Sequence, residues 1–274
     1  TTSITTPGST GFVSYVDNLG ESENKGYEAY LNVRVWQQPR SRSFVSIYSS
    51  LASNTNTLKK IANSLKQQND MSDAAMNDTK SVNLATRYEE GQSLNTIWAV
   101  KSLGIDPQSG RELYVRPDGS LTYEWNAADQ VACGIDLPKI SGNFGLNAEC
   151  HGAGINMTFT YRTGGQMYNS TLVSKVENAN VRYNVDKRVL TDRWSKPGDE
   201  VRFKSIADQS ATQPTSRFVE DYTLVNFATM SVYYDFRECN FVKNSFLQKL
   251  KATFYVNDLA TWSSVKVERG TAYP

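Results

Sequence analysis

The strongest constraint in this sequence is a period-two alternation of apolar and polar residues that continues over long runs. In the run 27–36, the apolar Tyr27, Leu31 and Val33 alternate with the polar Glu28 and Arg34. Successive side chains of a β-strand point to opposite faces, so this pattern predicts a strand with one apolar and one polar face. The pattern recurs in five further runs, over residues 43–53, 139–150, 155–163, 224–236 and 250–256.

The length of these runs favours a membrane protein. Most of them contain nine to thirteen residues, whereas strands of soluble proteins average about five or six and strands that cross an outer membrane need about 9–11. The sequence therefore predicts an all-β, antiparallel transmembrane β-barrel. If the apolar faces meet lipid, the polar side chains line the lumen. The lumen-facing candidates are Glu28, Arg34, Asn156, Arg162 and Lys251.

The connections between the runs alternate between short and long. Residues 37–42 and the glycine-rich 151–154 are short links, whereas the segments of about 54–138 and 165–217 are long. Outer-membrane barrels have short periplasmic turns and long outer loops. We therefore expect both long segments to be extracellular loops, the first without any membrane-spanning strand.

Two local structures are predicted inside the first long loop. Leu58, Ile61 and Leu65 share one face of a helical repeat after the cap candidates Asn56 and Thr57, which predicts a short helix. The run from Pro117 to Ser120 is typical of a hairpin turn, and it would join strands at 112–116 and 121–125.

Composition excludes several classes of function. The 29 Lys and Arg residues balance 28 Asp and Glu residues, so the chain lacks the basic surface that nucleic-acid binding needs. With His151 as its one histidine, the chain has little from which to build a histidine-based catalytic or metal site, and we expect no cofactor. Its three cysteines allow one disulfide at most. The first eight residues lack the features of a signal peptide.

Aromatic side chains in the long loops are the candidate ligand contacts. Flat aromatic rings stack on sugar rings and pack against peptides, but they also pack loops together. Both interpretations remain open for these residues. The candidates are Trp98, Trp125, Tyr168 and Trp194.

A set of short motifs extends along nearly the whole chain. They are Asn18–Gly20 with Asn24–Glu28, Gly104–Pro107 with Gly110, Pro138–Lys139 with Gly142–Phe144, Gly164–Asn169, Arg188–Trp194, Pro197–Asp199, Ser216–Val219, Asn257–Leu259, and Val267–Gly270 with Tyr273–Pro274. Each motif is weak alone, but together and in this order they resemble the SusC/RagA branch of the TonB-dependent outer-membrane receptors of Bacteroidetes.

The resemblance implies that residues 1–274 are the C-terminal part of a SusC-like transporter in the outer membrane of a Gram-negative bacterium. The family barrel has 22 strands around a plug, and this sequence supplies six, or seven with Phe12–Gly20. The plug, its TonB-contacting segment and the last strand are expected to be missing, so the remainder of the barrel chain has to complete the structure. Such transporters import oligosaccharides or peptides, TonB energises them, and a SusD-like surface lipoprotein caps them.

Three alternatives to this interpretation remain. The first is a soluble carbohydrate-binding β-sandwich that uses its loop tryptophans as a stacking platform. The second is a β-rich glycan hydrolase, for which the sequence identifies no specific pair of carboxylates. The third is a closed eight-strand barrel with two further strands hidden in residues 54–138. We favour the transporter segment, which is not an enzyme.

Overall fold

The computed structural model describes residues 20–79, 82–180, 182 and 185–265, together with residues 2–5, 9, 11 and 14–17. The sequence motifs at 18–19 and 267–274 lie outside the described residues, as do residues 1 and 6–8. In chain order, the strands are β1 (Thr2–Thr5), β2 (Ser14–Asp17), β3 (Gly20–Gln38), β4 (Ser43–Ile61), β5 (Thr96–Ile105), β6 (Glu112–Val115), β7 (Leu121–Thr122), β8 (Gln130–Ile135), β9 (Ile140–Cys150), β10 (Ala153–Tyr168), β11 (Val219–Asp235) and β12 (Lys251–Ser263). The helices are α1 (Asn63–Thr79) and the short α2 (Ser170–Leu172), α3 (Arg188–Thr191) and α4 (Asn240–Lys243).

Six long strands form one antiparallel sheet in the order β12-β11-β10-β9-β4-β3. All six predicted strands are confirmed, and most are longer than the sequence pattern indicated. β3 and β4 each contain 19 residues. Strands of this length cross the hydrocarbon core of a bilayer with residues to spare.

The predicted helix around residue 60 is wrong at its N-terminal side. Leu58 and Ile61 belong to β4, where they pair with Ser22 and Gly20 of β3. The continuing ladder of backbone hydrogen bonds between these two strands overrides the helical spacing of the apolar residues. Of the three predicted helical residues, Leu65 alone lies in a helix, within α1.

A seventh strand of the large sheet was also a wrong prediction. The described part of Phe12–Gly20 contains β2, which pairs with β1 in a separate two-stranded sheet, and Gly20 begins β3. The closed eight-strand alternative is wrong as well, because β4 and β9 are direct neighbours and leave no space for further strands between them.

The long segments 62–139 and 169–218 pack together, and we call them the loop layer. The first contains α1 and a small sheet in the order β7-β6-β5-β8, with the predicted hairpin between β6 and β7. The second has its own apolar core, made of Leu172, Val173, Val176, Val189, Phe203 and Phe218. The backbone N–H of Val100 donates to the Pro214 carbonyl at 3.2 Å and joins the two segments. That this layer is extracellular stays a prediction.

The large sheet is open along both edges. Among the described residues, no strand pairs with the outer side of β3 or β12. The accessible surface of the chain is 17332 Å², whereas a compact soluble protein of this mass exposes about 12,000 Å². No helix of the described residues is long and apolar enough to cross a membrane.

Candidate functional site

The strand register divides the large sheet into an apolar and a polar face. Residues directly opposite each other in neighbouring antiparallel strands lie on the same face, so each face can be followed across all six strands. One row contains Val33, Ile47, Leu146, Met157, Met230 and Val256, all of them apolar. Another row contains Arg34, Ser46, Asn147, Asn156, Ser231 and Tyr255.

All five lumen-facing candidates lie on the polar face. Arg34 and Asn156 share the row just given, and Glu28 and Arg162 share a second row through Ala52 and Ser141. Lys251 pairs with Asp235, near the end of the same face. The strands thus place these side chains on one face of the sheet, spread from one edge to the other. That they line a lumen stays a prediction.

Hydrogen bonds between neighbouring strands tie the polar face together. The hydroxyl groups of Tyr48 and Thr158 lie 2.7 Å apart, and Asn156 Nδ2 donates to Ser231 Oγ at 3.0 Å. A concavity on this face is lined by Asn32, Arg34, Phe44, Ser46, Asn147 and Asn156. Apart from Phe44, this lining offers donors and acceptors to a polar solute.

The apolar face presents large side chains outward. Tyr27, Leu31 and Phe254 are each about 60–66% exposed. At its centre, the Phe159 ring stacks on Phe144 at 5.0 Å and on Phe227 at 4.3 Å between ring centroids. Monomeric soluble proteins rarely expose an apolar surface this continuous. The exposed aromatic and aliphatic side chains thus distinguish this face from the polar one.

The structure places the four aromatic candidates within the loop layer or at its border. Trp98 is 4% exposed in β5, and the Arg87 guanidinium lies 5.6 Å from its ring centroid. Tyr168 packs edge-on against Phe218 with ring centroids 6.2 Å apart. Both side chains therefore pack against neighbouring residues of the protein. Their contact with a ligand stays a prediction.

The other two candidates use their indole N–H groups to hold loops. Trp125 Nε1 donates to the Pro214 carbonyl at 3.0 Å, and Trp194 Nε1 donates to the Pro107 carbonyl at 2.9 Å. The Trp194 ring covers Gly110 so closely that a Cβ there would lie 2.5 Å from it. Among the described residues, no stacking contact joins any two of the four candidates.

Sequence reasoning missed a buried ionic cluster in the loop layer. The Arg217 guanidinium donates to Glu112 Oε2 and to Glu177 Oε1, each at 2.7 Å, and all three side chains are buried. Glu112 lies in the first long segment, whereas Glu177 and Arg217 lie in the second. The cluster thus joins the two segments, and no local sequence pattern could have paired residues more than 100 positions apart.

Burial and neighbouring charges act on the arginines of this cluster. Burial alone would lower the pKa of Arg217, but the carboxylates of Glu112 and Glu177 outweigh it and raise that pKa above its ordinary value. Arg193 reinforces the site by donating to the Glu177 carbonyl at 2.7 Å. Burial lowers the pKa of Arg193. Tyr114 lies nearby, and burial raises the pKa of its hydroxyl far above the ordinary range.

Sequence reasoning also missed a cavity of about 680 Å³ where the sheet meets the loop layer. Its lining includes Asn54, Asn56, Gln92, Lys139 and Gln166. The Gln166 amide already bridges the Ile135 N–H and the Asp221 carboxylate. The cavity has the size and mixed polarity of a small-molecule site.

The described part of the chain has neither a cluster of metal ligands nor a disulfide. It contains no group of three or more side chains that could hold a metal ion. Cys133, Cys150 and Cys239 are all free thiols. Burial raises the pKa of the Cys133 thiol.

Comparison with known proteins finds its matches among solved structures. No family model matches the sequence, and no curated protein matches it. The matching structures include the RagAB peptide transporter (TM-score 0.74, 19% identity, 96% of this chain), and the RagAB peptide importer in its "closed-closed" state (0.71, 19%, 94%) and its "open-open" state (0.70, 18%, 97%).

These matches establish the fold. This chain spans 28% of the length of each matched chain, so its fold corresponds to a part of those chains. The open edges of the sheet and its two distinct faces agree with that correspondence. The chain has the fold of a β-barrel segment in the RagAB transporter structures that it matches.

Proposed function

We propose that this chain is part of an outer-membrane importer of oligosaccharides or peptides. The observation that carries the proposal is the open six-stranded sheet with one apolar and one polar face, matched to the RagAB peptide transporter over 96% of the chain. The apolar face contacts lipid, and the polar face lines the path of the substrate. Passage through such a lumen needs no covalent chemistry, so the chain is not an enzyme.

The proposal assigns the remaining roles by the resemblance to SusC-like transporters. The remainder of the barrel chain pairs with the free edges of β3 and β12. The loop layer forms part of the outer mouth, where it meets the substrate and a SusD-like surface lipoprotein. TonB supplies the energy for transport through the plug region of the complete protein. Because the matched structures are named for peptide transport, peptides are the first substrate class to test.

The proposal is tested by uptake in cells that depend on the full-length protein. Deletion of the gene should abolish uptake of the substrate class, measured with labelled peptide and labelled oligosaccharide pools, and the wild-type gene should restore it. The double variant Arg34→Glu and Arg162→Glu reverses two charges on the polar face and should reduce uptake of negatively charged substrates. The matched control is Arg34→Lys with Arg162→Lys. Unchanged uptake of both pools after deletion would refute the proposal.

A further inference from the structure

The connection between β11 and β12, residues 236–250, differs from the other two connections at its end of the sheet. Those two are short: residues 39–42 join β3 to β4, and residues 151–152 join β9 to β10. The three connections lie close together at this end. Arg42 Nη2 is 3.8 Å from Glu149 Oε1 and 3.6 Å from Asp235 Oδ2. This end of the sheet is opposite to the loop layer. We call residues 236–250 the turn segment.

The turn segment exposes apolar side chains. Phe246 is 94% exposed and Phe241 is 57% exposed, and Leu247 and Leu250 are also exposed. These side chains lie within ten residues of one another, and leaving them in water is unfavourable. Single exposed apolar residues need no explanation, but a cluster of this kind marks an interaction site.

Aromatic rings connect this cluster to the apolar face of the sheet. Tyr234 lies on that face, one row beyond Val232. Its ring packs edge-on against Phe236 at 4.7 Å, and Phe236 packs against Phe241 at 5.7 Å between centroids. The apolar face therefore continues without interruption into the turn segment. Whatever surrounds the apolar face also reaches Phe241.

Basic residues accompany the aromatic ones in the sequence of the turn segment. The turn segment contains Arg237, Lys243 and Lys249 but one acidic residue, Glu238. Lys243 Nζ lies 2.7 Å from the Glu238 carboxylate, with half of the lysine side chain still exposed. Aromatic rings at the level of the head groups, with lysines reaching towards phosphates, are typical of the interface between a membrane and water.

We propose that the turn segment is an interfacial anchor that seats Phe241 and Phe246 in the phospholipid head-group layer, with Lys243 and Lys249 facing anionic head groups. The inference rests on the proposed function, because it needs the apolar face to lie in a bilayer. It goes beyond that function in assigning a lipid-binding role to a connection outside the membrane-spanning strands.

The test replaces Phe246 with the photoreactive p-benzoylphenylalanine in the full-length protein, in cells. The new side chain retains the ring, and a position this exposed tolerates it. After illumination, we expect phospholipid adducts on the peptide that contains residue 246. The control position is Ser120, in the hairpin between β6 and β7. Adducts at residue 246 should exceed those at Ser120 by about tenfold, because burial of one phenylalanine side chain favours the head-group layer over water by at least this factor. Adducts with another protein, or equal lipid labelling at both positions, would overturn the proposal.

Charge variants test the preference for anionic head groups. Purified full-length protein carrying the photoreactive residue is placed in nanodiscs of neutral lipid, with or without an anionic phospholipid. Adducts with the anionic lipid should fall several-fold in the variant Lys243→Glu with Lys249→Glu and persist in the matched Lys243→Arg with Lys249→Arg. Equal adducts in both variants would overturn the electrostatic part of the proposal.

The same cells separate this inference from the proposed function. A protein that fractionates with the outer membrane and supports uptake, yet yields no lipid adduct at residue 246, refutes the anchor alone. A protein that neither reaches the outer membrane nor supports uptake refutes the proposed function.

Discussion

One guanidinium holds two carboxylates in the interior of the loop layer, and its removal breaks the ion pairs of both. We predict that Arg217→Met destabilises the loop layer by about 3–5 kcal/mol, because Glu112 and Glu177 would stay buried without these ion pairs. Glu177 is the more sensitive partner, since its Oε2 already has no hydrogen-bond partner among the described residues. Hydrogen exchange of the full-length protein measures the loss at the amides of residues 172–177 and 218.

A matched arginine provides the control for this prediction. Arg202 of the loop layer forms an ion pair with Glu220 of β11, but the Arg202 side chain is 40% exposed. Exposed pairs contribute about 0–1 kcal/mol, so Arg202→Met should leave the exchange protection nearly unchanged. Equal effects of the two variants would show that burial does not set the importance of Arg217. A lysine at position 217 should recover part of the stability, because it retains the charge but loses the bidentate geometry.

A second prediction concerns Trp194. It distinguishes a packing role of this side chain from contact with a ligand. The change Trp194→Ala uncovers Gly110 and removes the hydrogen bond to Pro107. It should destabilise the loop layer by less than the roughly 3–5 kcal/mol of a fully buried tryptophan, because Trp194 is half-buried. Thermal unfolding of the full-length protein measures this loss.

The variant Trp194→Phe gives the comparison. It retains an aromatic ring and loses the N–H donor, which costs about 1 kcal/mol. If Trp194 also contacts substrate, this variant reduces uptake more than its small loss of stability explains. If its role is packing alone, uptake follows stability through both variants, and the predicted ligand contact fails.

At the scale of elements, the assignment of the two faces has a direct test in neighbouring residues of β10. Phe159 lies on the apolar face between two stacked phenylalanines, whereas Thr160 lies on the polar face and is exposed. An arginine on the lipid face near the middle of a bilayer costs roughly 2–4 kcal/mol, whereas one facing the lumen is tolerated. We therefore predict that Phe159→Arg lowers the amount of folded protein in the outer membrane and that Thr160→Arg does not.

The measurement is the fraction of full-length protein that retains its folded mobility on an unheated denaturing gel. Because the two positions are adjacent, any general effect of adding an arginine to this strand appears in both variants. The opposite outcome, with Thr160→Arg misfolding and Phe159→Arg folding, would reverse the assignment of the faces.

The same elements explain how far sequence reasoning reaches. The existence of the strands and the face on which each side chain lies were predictable. Alternation of apolar and polar residues is a local property that can be recognised within a single run of about nine residues. Strand ends were not, since the pairing of Leu58 with Ser22 depends on a partner 36 positions away and overrides a helical spacing. The pairing of Gly145 with Tyr48, whose ring lies over the glycine, was equally hidden from local patterns.

The candidate site was predictable to a different degree on the sheet and in the loop layer. The five polar-face residues could be identified, because their facing follows from strand parity alone. The cluster of Glu112, Glu177 and Arg217 could not, because irregular segments have no period that fixes which charges meet. The loop tryptophans were identified as unusual, but their partners, the carbonyls of Pro107 and Pro214, are backbone atoms that no residue pattern indicates.

For the whole molecule, the two open edges of the sheet lead to the last prediction. Unpaired backbone N–H and C=O groups along β3 and β12 are not tolerated in lipid, where water cannot satisfy them. In water they would pair with other chains, and the apolar face would promote the same association. Residues 1–274 expressed alone should therefore aggregate in buffer and form no heat-modifiable barrel in detergent.

The native polypeptide should behave differently. Isolated in detergent from its own outer membrane, it should migrate faster when unheated than when boiled, and its intact mass should be several-fold above 30.6 kDa, since this chain covers 28% of the matched transporter chains. A native mass of 30.6 kDa with a folded barrel would mean that the edges close by association of copies of this chain. The proposal that the chain is a segment of a larger transporter would then be wrong. A larger mass with a folded barrel would instead direct attention to the strands that pair with β3 and β12.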